Sequence, residues 1–205
     1  MCNRYDSGSI DDAARYFRAT PARRFNSGGG IIHPKDRGLV VLDRDGERVI
    51  DQMTWGFPLG LKGKKGQPLK PKPVNNARFD KLDGFWKRWT APANRCLIPV
   101  TRYAEAEGPK GKKTETWLSV ADRPMMAWAG LWRTNKDEEW GDCYTGVMTD
   151  AAPELAKIHD RAPVILATGD WETWLSAPLD DLYRFDRPWP ASAVKVDATD
   201  RSWAQ

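Results

Sequence analysis

Residues 39–55 read LVVLDRDGERVIDQMTW, two β-rich runs on either side of Asp45-Gly46. An Asp-Gly pair accepts positive φ at little cost, so it folds one strand back on the next. This commits that part of the chain to antiparallel pairing, and other segments follow the same pattern. TWLSVADRPMMAWAGLW (116–132) reads as a second hairpin turning near 122–124. CYTGVMT (143–149) and PVILAT (163–168) read as further buried strands. Ser9 is placed to cap a helix with Asp11 and Asp12 in its first turn and Ile10, Ala14 and Phe17 on one face. Short helices are expected over 153–158, 170–176 and 179–185. LKGKKGQPLKPKP (61–73) is expected to be a mobile loop, and GPKGKK (108–113) a basic turn. No strand–helix–strand alternation is present. The expected class is therefore α+β, with a mainly antiparallel, barrel-like sheet built from hairpins and flanked by short helices.

A chain of 205 residues suits one domain, 1–205, with a real hydrophobic core. No stretch resembles a signal peptide or approaches the roughly 20 apolar residues of a membrane span. The three cysteines, Cys2, Cys96 and Cys143, stand at unrelated spacings, which suits a reducing cytoplasm better than a disulfide framework. With only His33 and His159 and no C-x-x-C, neither a metal site nor a cofactor is expected. Eleven tryptophans are several times ordinary usage, and the six basic residues between Gln52 and Phe79 (Lys62, Lys64, Lys65, Lys70, Lys72, Arg78) have no acidic residue among them. Cations interleaved with aromatics suit single-stranded nucleic acid, whose phosphates seek charge and whose bases seek flat partners. A solvated lysine loop over a Trp-rich core would have the same composition.

Cys2 stands directly behind Met1. Methionine is removed ahead of small residues, which would leave an amine and a thiol on adjacent carbons. Such a pair condenses with an aldehyde: the amine gives an imine and the thiol closes a five-membered ring on it. Glu105 follows the apolar run RCLIPVTRYA, which would carry it inward, and His159 lies in IHDRAPVIL, before a buried strand. Asn75, Asn76 and Arg78 stand in VNNARFD. Singly, these residues have ordinary explanations: a paired buried acid, a helix-end histidine, turn-forming asparagines.

Together, MCNRY, WGFP (55–58), NNARFD (75–80), RCLIPVTRYAE (95–105) and IHDRAPVIL (158–166) follow the order and spacing of the SOS response-associated peptidase family, which this chain resembles from Cys2 to about Leu166. The sequence departs from that pattern at Asp80, Ala106 and Ala162, where the family has Glu, Trp and Met, and the tail 187–205 shows no match. The resemblance implies that Cys2 forms a covalent thiazolidine with the aldehyde of an abasic site in single-stranded DNA, protecting it during the damage response. It implies Asn76, Glu105 and His159 as the pocket, Arg4, Arg78 and Arg161 as phosphate ligands, and Trp55 as a residue shaping the site. The expected protein is a monomer in the cytoplasm, nucleoid-associated when bound to DNA. Self-cleavage ahead of Cys2 is a further implication, although ordinary methionine removal would suffice. Two other readings compete: a cysteine peptidase using Cys2, His159 and Asn76, and a non-covalent single-strand binding module.

Overall fold

The computed structural model describes residues 2–25 and 29–203, with the side chains of 61 and 62 excepted. Met1, whose removal is expected, lies outside the described residues. The strands in chain order are β1 (Arg4–Asp6), β2 (Thr20–Pro21), β3 (Ile31–Ile32), β4 (Arg37–Arg44), β5 (Glu47–Trp55), β6 (Phe57–Lys62), β7 (Pro68–Val74) and β8 (Asn76–Arg78). They continue as β9 (Arg95–Val100), β10 (Arg102–Glu107), β11 (Thr114–Val120), β12 (Met126–Arg133), β13 (Cys143–Asp150), β14 (Arg161–Pro163), β15 (Ile165–Leu166) and β16 (Val194–Ser202). Two short helices, α1 (Ile10–Phe17) and α2 (Trp171–Ser176), join a few 3₁₀ turns. The fold is a mixed one in which strands dominate.

β4 and β5 form the expected hairpin, with Asp45 and Gly46 both at positive φ. Its strands enter a ring: β5 pairs β4, β4 pairs β9, β9 pairs β12, and β12 pairs β13. A parallel contact, Cys143 with Thr54 and Tyr144 with Trp55, closes the ring from β13 back to β5. Strand periodicity sends alternate side chains to opposite faces. Leu39 and Val41 join one apolar cluster, with α1 and α2 packed on it, while Val40 and Leu42 join a second. That second cluster is covered by a five-stranded sheet, ordered β16-β11-β10-β1-β3. Cys2 lies in the second cluster beside Tyr5, Trp55, Tyr103 and Trp128. Seven of the eleven tryptophans are buried, so their abundance serves the core first.

Helix α1 begins as expected, with Ser9 Oγ accepting from the Asp12 N–H at 3.1 Å. Four expectations need correction. Residues 116–132 are not a hairpin: β11 pairs β10 and β16, whereas β12 pairs β9, β13 and β15. The turn at Asp122 (φ 58°) carries the chain from one sheet to the other. The 61–73 stretch is not a loop. It belongs to an antiparallel ribbon of β6 and β7, registered at Phe57–Val74 and Leu59–Lys72. Residues 153–158 form successive turns rather than a helix, and 163–168 divides into the ends of β14 and β15. The tail joins the five-stranded sheet, with β16 paired to β11 from Val194 to Ser202.

Candidate active site

Strand β1 brings Cys2 to the edge of the ring. Antiparallel pairing of Arg4 with Ala104 and Tyr5 with Tyr103 lays the start of the chain along β10. Glu105, one residue beyond Ala104, therefore stands level with the residues just ahead of Arg4. Its carboxylate charge acts on the Cys2 thiol. Cys2 is fully buried, and its Sγ contacts the Arg4 carbonyl at 3.5 Å. Burial pushes the thiol well above its ordinary range, with Glu105 adding to the rise. The sulfur therefore rests as a thiol and needs a base to become a nucleophile.

The other wall comes from the junction of β7 and β8. Asn75 Nδ2 donates to the Cys2 carbonyl at 2.8 Å and to Asn3 Oδ1 at 3.1 Å. Asn76 Nδ2 donates to the same Cys2 carbonyl, also at 2.8 Å. Consecutive strand residues would normally point apart; here the strand breaks between Val74 and Asn76, and both amides converge. Asn76 Oδ1 is buried with no hydrogen-bond partner among the described residues, an acceptor open to an incoming N–H or O–H. Trp55 Nε1 donates to the Asn75 carbonyl at 2.9 Å, which fixes that residue from below. Asn75 was visible in the sequence only as half of an Asn-Asn pair, and its grip on Cys2 emerges from the fold.

Glu105 is 3% exposed, and desolvation pushes its carboxyl up to about 7. A group at that value gives and takes protons with equal ease near neutral pH. His159 is half-buried, and desolvation holds its imidazole below the ordinary 6.5. Its Nδ1 accepts from the Arg161 N–H at 2.9 Å, so the neutral ring carries its proton on Nε2. Asp160 Oδ1 lies 2.9 Å from the same Nδ1, an attraction that operates only for the protonated ring. Asp160 also acts on Glu105, and Ile158 belongs to the cluster around Cys2. The 158–160 turn and Glu105 thus share one neighbourhood with the thiol.

A family model described as "SOS response associated peptidase (SRAP)" matches residues 1–201. The chain belongs to this family. The match takes in the tail as far as 201, correcting the shorter extent expected from the motifs. Among curated relatives, an abasic site processing protein of Saccharomyces cerevisiae is 25% identical over 85% of this chain, which spans 55% of that protein's length. The abasic site processing protein YoqW of Bacillus subtilis is 25% identical over 86% of this chain and 80% of its own. A solved protein of Bordetella bronchiseptica superposes with a TM-score of 0.77 at 26% identity, covering 97% of this chain and 99% of that one. One from Bacteroides thetaiotaomicron, at TM-score 0.72 and 19% identity, shares the fold, covering 96% and 91%.

The remaining candidate residues of this SRAP chain divide into two groups. Arg78 on β8 and Arg161 on β14 flank β13, opposite Met148 and Asp150 respectively. Arg78 is exposed and holds Asp80 with two bonds of 2.8 and 2.7 Å, while Arg161 pairs with Asp150 at 2.9 Å. Arg4 turns away from this corner. It is buried, with Nη1 on Glu115 Oε2 at 2.7 Å, Nε on His33 Nε2 at 3.2 Å, and its guanidinium stacked over Trp203 at 4.5 Å. Trp55, at 0% exposure, packs in the cluster that holds Cys2 and bonds the Asn75 carbonyl. No group of residues suited to hold a metal ion occurs among the described residues.

Proposed function

We propose that this chain processes abasic sites in single-stranded DNA by forming a thiazolidine between Cys2 and the open-chain sugar aldehyde. The observation that carries this reading is the near-neutral, desolvated Glu105 acting on the buried thiol of Cys2, whose backbone carbonyl two asparagine amides hold in place. Membership of the SRAP family and the names of its relatives support the substrate. A residue ahead of Cys2 ties its nitrogen into an amide, so the reaction requires Met1 to be gone, by methionine removal or by self-cleavage.

The steps balance with Glu105 as the one proton carrier. The neutral Cys2 amine attacks the aldehyde carbon and gives a carbinolamine. Protonated Glu105 donates to the hydroxyl, which leaves as water, and an iminium ion remains beside a carboxylate. That carboxylate takes the Cys2 thiol proton, and the sulfur adds to the iminium carbon to close the ring and neutralise the nitrogen. Glu105 is protonated again, and one water has been lost. The second addition is intramolecular, so no further encounter is needed. The Asn76 Oδ1 acceptor and the His159 Nε2–H are placed to orient sugar hydroxyls or the ring oxygen during opening. Arg78 and Arg161 face the flanking phosphates, while Arg4 secures β1 through Glu115. The protein acts as a monomer in the cytoplasm and stays with the DNA it has trapped.

The test is incubation with single-stranded DNA carrying one abasic site, followed by denaturing electrophoresis. A detergent-stable protein–DNA band should form with the wild type and be absent with Cys2→Ala or with extra residues retained ahead of Cys2. A stable band from either variant would refute the aminothiol mechanism, and peptide cleavage without any DNA adduct would favour the peptidase reading instead.

A further inference from the structure

A second surface sits at the outer corner where β6 leaves the ring. Gly56, at φ +116°, separates Trp55 from Phe57 and sends their side chains into different clusters. Trp55 serves the Cys2 side, while Phe57 opens into a cleft of about 130 Å³ lined by Leu59, Val74, Phe85, Trp89, Arg88 and Arg133, among others. The rings form a continuous set: Phe57 lies 5.0 Å from Trp89, and Phe85 lies 5.0 Å from Trp86. Phe85 is 55% exposed and Leu59 37%. They are two of the six large apolar side chains exposed among the described residues, and a third, Leu69, stands farther out on the β6–β7 ribbon.

The same corner is cationic. Arg88 lies over Trp89 at 3.9 Å and Arg133 over Phe57 at 5.1 Å. Arg133 Nε is buried with no acceptor among the described residues, and Arg88 has no ion-pair partner among them. The β6–β7 ribbon extends from the cleft with Lys64, Lys65, Lys70 and Lys72, of which Lys70 is shared with Glu139 at 3.8 Å. Arg133 also bonds the Cys143 thiol, and an exposed ring beside these two guanidinium groups matches a nucleobase next to a phosphate. The exposed ring suits a base and the cations suit its phosphate, so one nucleotide accounts for both features.

We infer that this cleft is a stacking subsite for an unpaired base of the DNA strand held at Cys2, with Phe85 as the platform and Arg88 and Arg133 on the adjoining phosphate. The inference rests on the reading of the chain as a single-strand DNA protein and extends it to undamaged nucleotides. Two short segments connect the sites: Trp55 and Asn75 serve Cys2, whereas Phe57 and Val74, two residues and one residue along, line the cleft. At roughly 3.3 Å per strand residue these steps are about 3–7 Å along the backbone, on the order of one nucleotide. The proposed strand reaches this corner on leaving the Cys2 pocket.

The experiment is anisotropy of a labelled, undamaged single-stranded oligonucleotide titrated with full-length protein at several salt concentrations, with the duplex of the same sequence alongside. Phe85→Ala should weaken single-strand binding about 5- to 100-fold, the range for losing one base–aromatic stack, and leave the salt slope unchanged. Arg88→Gln should flatten the log–log salt slope by roughly 0.7. Both side chains are exposed, so both variants should keep the wild-type melting temperature. Wild-type affinity in both variants would overturn the subsite, as would a wild type that prefers the duplex. Adduct formation with abasic DNA is read separately. An adduct with unaffected groove variants defeats the subsite alone, and a groove effect without any adduct defeats the thiazolidine reading alone.

Discussion

Replacing Glu105 by glutamine should change the pH dependence of stability in a way that reports directly on the buried carboxyl. The folded protein holds this proton up to about pH 7, whereas the carboxyl's ordinary value is 4.5. Between those two values the unfolded chain releases the proton and the folded chain keeps it. The stabilising effect of the raised value is therefore complete below about 4.5 and is lost as pH rises to about 7. The interval, at about 1.4 kcal/mol per pH unit, amounts to about 3 kcal/mol. Glu105→Gln cannot ionise and escapes this loss, so relative to wild type it should gain about 3 kcal/mol between pH 4.5 and 8. For a chain of this length each kcal/mol moves the melting temperature by about 2–4 °C, so the difference in melting temperature should open by about 6–12 °C across that range. Urea titrations of both proteins at matched pH give the free energies, and constant differences from fixed packing changes cancel in the comparison. A difference that stays flat from pH 4.5 to 8 would refute the assignment of Glu105 as a desolvated acid.

Two further outcomes follow from packing and pairing. Gly146→Ala places a Cβ into the Trp128 indole, within a core where β12 and β13 are held in register, and should destabilise by about 1–3 kcal/mol in urea melts. Arg4→Ala leaves Glu115 buried without its partner, so the loss should be about 3–5 kcal/mol, with any decline in DNA binding tracking the unfolded fraction. An Arg4→Ala protein of wild-type stability and weakened DNA binding would make Arg4 a direct phosphate ligand.

What the sequence could reveal depended on whether the decisive interaction was local. The β4–β5 hairpin was legible because Asp45-Gly46 determines the turn and the flanking runs supply the register. The segment 116–132 contains equally good strands, but their partners are chosen far away: Trp117 pairs with Ala104 and Asp197, and Trp128 with Ile98 and Ile165. Nothing near Asp122 records that choice. The β6–β7 ribbon was hidden by its Gly, Pro and Lys content, which suits a loop and is tolerated in a strand pair with both edges open. Residues 153–158 make too short a run to sustain a helix without strong tertiary packing. In the site, the inward course of Glu105 was readable from the apolar run preceding it. The convergence of Asn75 and Asn76 on one carbonyl was not readable, since it depends on a break between strands. Nor was the burial of Arg4 against Glu115, 111 residues away.

The pairing of β1 with β10 also sets a clock on the protein's birth. Tyr5 cannot meet Tyr103 until nearly a hundred further residues have left the ribosome. At roughly 5–20 residues per second that interval is on the order of 5–20 s. Throughout it β1 has only its two-residue pairing with β3 (Tyr5 with Ile32, Asp6 with Ile31) to join, and Cys2 lacks the wall that β10 supplies. Once β10 arrives and the ring closes, Cys2 is fully enclosed. The order of synthesis thus leaves the start of the chain exposed first and encloses Cys2 second. A chain whose first residues folded locally would have no such interval.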